Sequence, residues 1–192
     1  MVLRSSGAAD TVWVPLLAGA ACWVMVFLLL PRPMWIYVVG HEMTHAIWTW
    51  AFGGKVKRLK VTSQGGHVII TKSNFFIALA PYFFPFYVVV IFLVYALGDL
   101  VWGWQSYRAW FHLFSGAAYA FHVTLTYDVL KTRQSDITQQ GYLFSVVVIW
   151  LGNVFVLLLG LPLLTGRVSV LTALGWALES TGGIVRRLSH WL

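Results

Sequence analysis

From Thr11 to Leu30 the chain runs apolar without a charge. About 20 such residues, wound into a helix at 1.5 Å each, match the hydrocarbon thickness of a bilayer. Further apolar stretches follow at 34–52, 74–97, 109–130 and 141–164, with Glu42 and Asp128 inside the first and third of these. The expectation is an all-α polytopic membrane protein of about five transmembrane helices. It forms one integral membrane domain over 1–192. Composition agrees, with 59% of 192 residues hydrophobic and 10% charged, more apolar surface than a soluble domain of this length needs. A signal peptide is the competing reading of the first run, but the run is long for one and lacks a clear small-residue cleavage site. Pro31-Arg32-Pro33 separates the first two helices. Pro81 and Pro85 interrupt the third, which implies a kink whose freed backbone groups face protein or water, not lipid. The Trp/Tyr-rich segment from Asp99 to Arg108 has the character of an interfacial belt. The tail 168–192 carries Glu179 inside a weakly apolar stretch, so crossing and lying on the surface both stay open. Cys22 stands alone and excludes an intramolecular disulfide.

Between the second and third helices the pattern changes. Gly53-Gly54 ends one helix. Residues 55–72 then alternate Val, Ile, Lys and Thr around Ser63-Gln64-Gly65-Gly66, which predicts a short β-hairpin. Lys55, Lys57, Arg58, Lys60 and Lys72 make it basic. Its open edge could accept an extended peptide as an added strand, or its bases could rest on lipid headgroups. His67 reads as a surface residue. The net charge of +7 does not point to nucleic acid, because the bases sit in loops between apolar runs. Alternating five spans puts Arg4, the hairpin, Lys131 and Arg133 on one side, and Arg32, Arg108 and Arg167 on the other. The positive-inside rule then turns the hairpin and the 131–140 loop, and the site beside them, toward the cytoplasm.

Inside the second run stands His41-Glu42-Met43-Thr44-His45. On a helix, residues four apart share a face, so the two imidazoles can grip one ion. Zn2+ suits such ligands and lowers the pKa of bound water to roughly 7. Glu42, one position on, can act as general base toward that water. Chance places the pattern in a chain this long at roughly the one-in-a-hundred level, and His and Glu are costly in lipid. A catalytic zinc site also needs a third protein ligand. Asp128, at the end of an apolar helix taken to run parallel to the second, ranks first. Asp136 follows, although with Gln139 it also fits a helix-capping pattern, and His122 comes after it. His112 reads as interfacial or core.

The chain resembles the site-2 protease family of intramembrane zinc metalloproteases, in its compact M50B-like branch. The resemblance is carried by His41 to His45, Gly53-Gly54 before a basic hairpin, Ala80-Pro81, Asp128-Val129-Leu130, and Ser135-Asp136 before the last long helix. It covers roughly residues 34–164. It implies cleavage of membrane-embedded segments, with zinc held by two histidines and an aspartate. The Asn/Pro-rich stretch ending in Leu-Asp-Gly, which supplies that aspartate in better-known members, is missing here, as is a PDZ-like insert. Two functions from different classes follow. One is a zinc metallopeptidase acting on a membrane protein or transmembrane peptide within the bilayer. The other is a metal-binding membrane scaffold or ion-handling protein without hydrolysis, which would have no need of Glu42.

Overall fold

The computed structural model describes residues 9–62, 65–166 and 168–189. Arg4, Arg167 and the Ser63-Gln64 half of the expected hairpin turn lie outside them. A π-helical turn, Ala9–Trp13, leads into α1, Val14–Leu29. Leu30 is already extended, as a residue before proline tends to be. Helix α2, Met34–Ala51, ends where Gly53 takes a left-handed φ of 71°. The N–H groups of Gly53 and Gly54 close back on the carbonyls of Trp50 and Thr49, which satisfies the last turn. Strands β1, Val56–Thr62, and β2, Gly65–Ile70, pair antiparallel, with Lys60 opposite His67 and an irregularity between Val56 and Arg58.

Asn74 caps α3, Phe75–Leu79, by accepting from the N–H of Ile77 at 2.8 Å, a standard N-cap role for Asn. A 3-10 turn, Ala80–Tyr82, follows, and then α4, Phe86–Trp102, at 80° to the preceding segment. The two prolines therefore break this run outright, beyond the kink expected from them. Helix α5 is Arg108–Leu130, α6 is Ser135–Gln140, α7 is Tyr142–Thr165 and α8 is Val170–Ser189.

Fewer than five of these elements qualify as spans. Thr11–Leu29 and Tyr142–Thr165 are long and apolar enough to cross a membrane, and the bent pair Phe75–Tyr82 with Phe86–Trp102 makes a third if counted as one. Only 11% and 6% of the first two spans is buried, so their apolar side chains face outward, as lipid contact requires. Helices α2 and α5 fall short because they carry Glu42, Thr44, His45 and Thr49, and His112, Ser115, His122 and Thr126. All of these are buried against protein. Ionisable groups on a membrane helix face its protein neighbours in this way, while Trp35 and Trp50 of α2 and Trp110, Phe114 and Tyr127 of α5 stay exposed. The tail forms α8, packed on α7, and does not reach the apolarity of a span.

The elements pack in two regions. In the first, α1 lies along α5 through glycines. A Cβ on Gly19 would come 1.8 Å from the Leu113 carbonyl oxygen, and one on Gly116 would come 1.9 Å from that of Leu16. Small residues allow this close backbone approach. The indole of Trp23 donates to Thr124 Oγ1 at 2.8 Å, and Phe111 meets Phe92 and Tyr95 of α4. In the second region Leu79, Ala80, Tyr82, Phe83 and Ile137 form a buried cluster against Trp48 of α2 and Ile149 of α7. The hairpin lies along α2, with Gly66 against Val38 and Glu42.

One expectation about direction is overturned. Arg32 meets Asp128, Tyr37 hydrogen-bonds Thr126, and His41 shares a cavity wall with His122. Helix α2 therefore runs antiparallel to α5 where they meet, not parallel to it. Arg32 and Lys131, assigned to opposite sides by the base count, both pair with Asp128. The alternation fails because the third run, counted as one span, is broken at 80° between Tyr82 and Phe86.

Candidate metal centre

His41 and His45 share one face of α2, and their Nε2 atoms stand 3.2 Å apart. Asp136 Oδ2 lies 3.5 Å from the first and 3.6 Å from the second. Three ligand atoms about 2.0–2.1 Å from one tetrahedral ion stand roughly 3.3 Å from each other. The triangle fits that geometry to within a few tenths of an ångström. Together the three residues could hold a metal ion, and they are the group of this kind among the described residues.

The orientation of His45 traces to a single proline. In an unbroken helix the carbonyl of Ile77 would accept from the N–H of residue 81, but Pro81 has none. That carbonyl instead accepts from His45 Nδ1 at 2.8 Å. A carbonyl cannot donate, so the hydrogen sits on Nδ1 and the Nε2 lone pair is left toward the metal position, a common outer-sphere arrangement. His41 is held by packing. The rings of Tyr37 and Tyr82 flank it at 5.9 and 5.3 Å between centroids, while its Nδ1 is buried without a hydrogen-bond partner.

Asp136 arrives on the short helix α6. The chain turns back after α5 through the Thr132 N–H and the Gln134 side chain, both donating to the Val129 carbonyl. Ile137 then inserts among Leu79, Ala80, Tyr82 and Phe83, and Asp136, one residue earlier, faces the histidines. The capping pattern read for Asp136 and Gln139 is not the one that forms, because Gln134 occupies the N-cap and no side chain caps it. Burial disfavours the charged form of Asp136; the imidazoles of His41 and His45, in any form that carries a proton on Nε2, outweigh it and lower the carboxyl below the usual carboxylate range.

Asp128 is engaged elsewhere. Its carboxylate pairs with Arg32 and, at 3.0 Å, with Lys131. His122 is buried beside the centre but outside the ligand triangle, and its Nε2 has no hydrogen-bond partner. It borders a cavity of about 20 Å3 with His41, Tyr37 and Pro81. His112, at the other end of α5, is fully buried with neither ring nitrogen partnered. His67 is on the exposed hairpin. Glu42 is 6% exposed, and its carboxylate is within electrostatic reach of His45 and Asp136.

Two further residues shape the centre and were not singled out from sequence. Tyr82, 1% exposed, donates its hydroxyl to Asp136 Oδ2 at 3.1 Å. Gly66 lies so close to α2 that a Cβ there would come 2.7 Å from Glu42 Cγ and 3.0 Å from its Oε1. The signals that could have found them were Pro81 beside Tyr82, and a second glycine in the hairpin turn.

Comparison with protein-family models, curated proteins and solved structures gave no match.

Proposed function

We propose that the chain is an intramembrane zinc metallopeptidase that hydrolyses peptide bonds in membrane-embedded segments. The observation that carries this reading is the His41–His45–Asp136 triangle with Glu42 next to the first histidine on the same helix. Two imidazoles and one carboxylate at tetrahedral spacing suit zinc and leave a fourth position for water or substrate. When bound, the ion would act as a Lewis acid and make water nucleophilic near neutral pH. Glu42 would accept that water's proton at its carboxylate and return it to the leaving amine nitrogen. His45, fixed through Ile77, would keep its lone pair on the ion.

Substrate access is supported by a cavity of about 530 Å3 between α5 and α7, bordered by Tyr82, His122, Ser145 and Asn153. The two-stranded hairpin offers unpaired outer edges along α2, to which an extended peptide could add as a strand. For orientation, we place the Arg32–Lys131 end of the molecule, with the active site, toward the cytoplasm. Arg32 and Lys131 gather there at Asp128, while Arg108 starts α5 and Lys72 donates to the Phe52 carbonyl at the opposite end.

The test uses purified protein in lipid nanodiscs and a transmembrane peptide, with cleavage followed by mass spectrometry and metal by elemental analysis. The wild type is expected to cut and to carry about one zinc. Glu42→Gln should keep the zinc and lose about a hundredfold or more in rate, the usual scale for a general base. Zinc bound without cleavage of any membrane peptide would leave the scaffold reading instead.

A further inference from the structure

Tyr82 touches both halves of the metal centre. Its ring packs edge-on against His41 of α2, and its hydroxyl donates to Asp136 of α6. We infer that Tyr82 is a positioning residue for the third ligand, held in turn by Asn153 of α7. This rests on the metal-centre reading but not on peptidase activity.

Helix α6 has six residues, packs on α3 and α7, and carries Asp136 with its side chain 26% exposed. Burial alone therefore does not fix the carboxylate. The buried phenol of Tyr82 needs an acceptor, and it finds one in Oδ2, the same oxygen that faces both histidine nitrogens. One direction of that oxygen is taken by the phenol and the other is left for the ion, so the carboxylate cannot swing away without orphaning a buried hydroxyl. Outer partners of this kind orient metal-ligating carboxylates.

Asn153 extends the chain of contacts. The break before Pro85 leaves the Tyr82 carbonyl without a helical donor. Asn153 Nδ2 donates to it at 3.3 Å while also bonding the Ile149 carbonyl at 2.9 Å. A polar side chain in the middle of an apolar helix usually has such a partner. Asn153, Tyr82 and Asp136 thus form one line from α7 to the metal position.

The experiment is metal binding by the chelator-stripped full chain in nanodiscs. Zinc is titrated against a chromophoric chelator, and cobalt(II) serves as a spectroscopic probe of the ligand field. Tyr82→Phe keeps the ring on His41 and removes only the hydroxyl. It should weaken zinc about 10–100-fold, the range for an outer partner, and change the visible cobalt spectrum, with the melting of the stripped protein unaltered. Asn153→Leu should weaken binding in the same direction by less. Wild-type affinity and an unchanged cobalt spectrum in Tyr82→Phe would overturn the inference. So would an affinity loss that only tracks a lower melting temperature of the stripped protein. A wild type that binds neither ion would overturn it together with the metal centre. A wild type that binds zinc and cleaves nothing, with Tyr82→Phe still weakened, would uphold Tyr82 and refute only the peptidase.

Discussion

Asp128 and Asp136 flank the same short turn between α5 and α6, yet the chain completes them in opposite ways. Asp128 faces Arg32 and Lys131. Both carry positive charge, so the carboxylate already has its counter-charge. Asp136 faces two imidazole nitrogens and a phenol. In their ligand forms the carboxylate and both nitrogens offer lone pairs to one point, and such a set is favourable only with a cation at its centre. What an acidic residue does here is decided by what the fold brings opposite it, not by its distance along the chain from the histidines.

The largest expected effect tests that contrast directly. Asp136→Ala removes the proposed third ligand and should weaken zinc by well over the roughly 100-fold that marks the upper end for an outer partner. Asp128→Ala should retain stoichiometric zinc. Elemental analysis of the two purified variants decides, and zinc lost from Asp128→Ala but kept by Asp136→Ala would reverse the assignment.

A smaller effect is expected at Pro81. Pro81→Ala returns an N–H that can reach the Ile77 carbonyl and compete with His45 Nδ1 for it. The tautomer of His45 is then less firmly set, and zinc affinity should fall roughly tenfold, the low end for lost outer contacts. Unchanged affinity would mean that packing alone orients His45. At Asp128, which has no such proline-freed partner, there is nothing comparable to lose.

Next comes the hairpin. Gly66→Ala would push on Glu42, given the 2.7 Å approach of a Cβ to its Cγ. Turnover should drop about tenfold, a fraction of the full general-base contribution, with zinc content unchanged. A variant that loses zinc instead would show that the hairpin supports the ligands and not the base.

Much of the centre was legible in the sequence for a definite reason. His41, Glu42 and His45 lie within one helical turn, where spacing alone fixes geometry. The hairpin between Gly53 and Lys72, and the break at Pro81 and Pro85, were legible because glycine frees the backbone for a turn and proline restricts it. The third ligand was open among Asp128, Asp136 and His122, since its place depends on how Ile137 docks between α3 and α7, a contact distant in sequence. The span count erred where hydropathy and burial part company. Helices α2 and α5 are apolar on average but turn His, Glu and Thr toward protein. The 80° break redirects a run that reads as continuous. The side assignment of Arg32 failed with it.

The smallest expected effect lies at the Asp128 cluster. Arg32 is about half exposed, at 48%, whereas Asp128 is 12% exposed. Partly solvated pairs of this kind contribute roughly 0–1 kcal/mol, because water screens the attraction and ordering two side chains costs entropy. Arg32 also stacks over Phe27, and Lys131 over Tyr127, so both cations keep partners if the acid is neutralised. Asp128→Asn, close in shape, should therefore lower the melting temperature slightly at low salt and by less at high salt, where the Debye length shrinks to about 3 Å. Zinc content and turnover should stay at wild-type levels. A large, salt-independent drop in stability would mean that the acid locks the α1–α2 turn to α5 more firmly than a surface pair can. Loss of zinc in the same variant would break the contrast between the two aspartates, since the metal site would then depend on an acid whose own charges are already met.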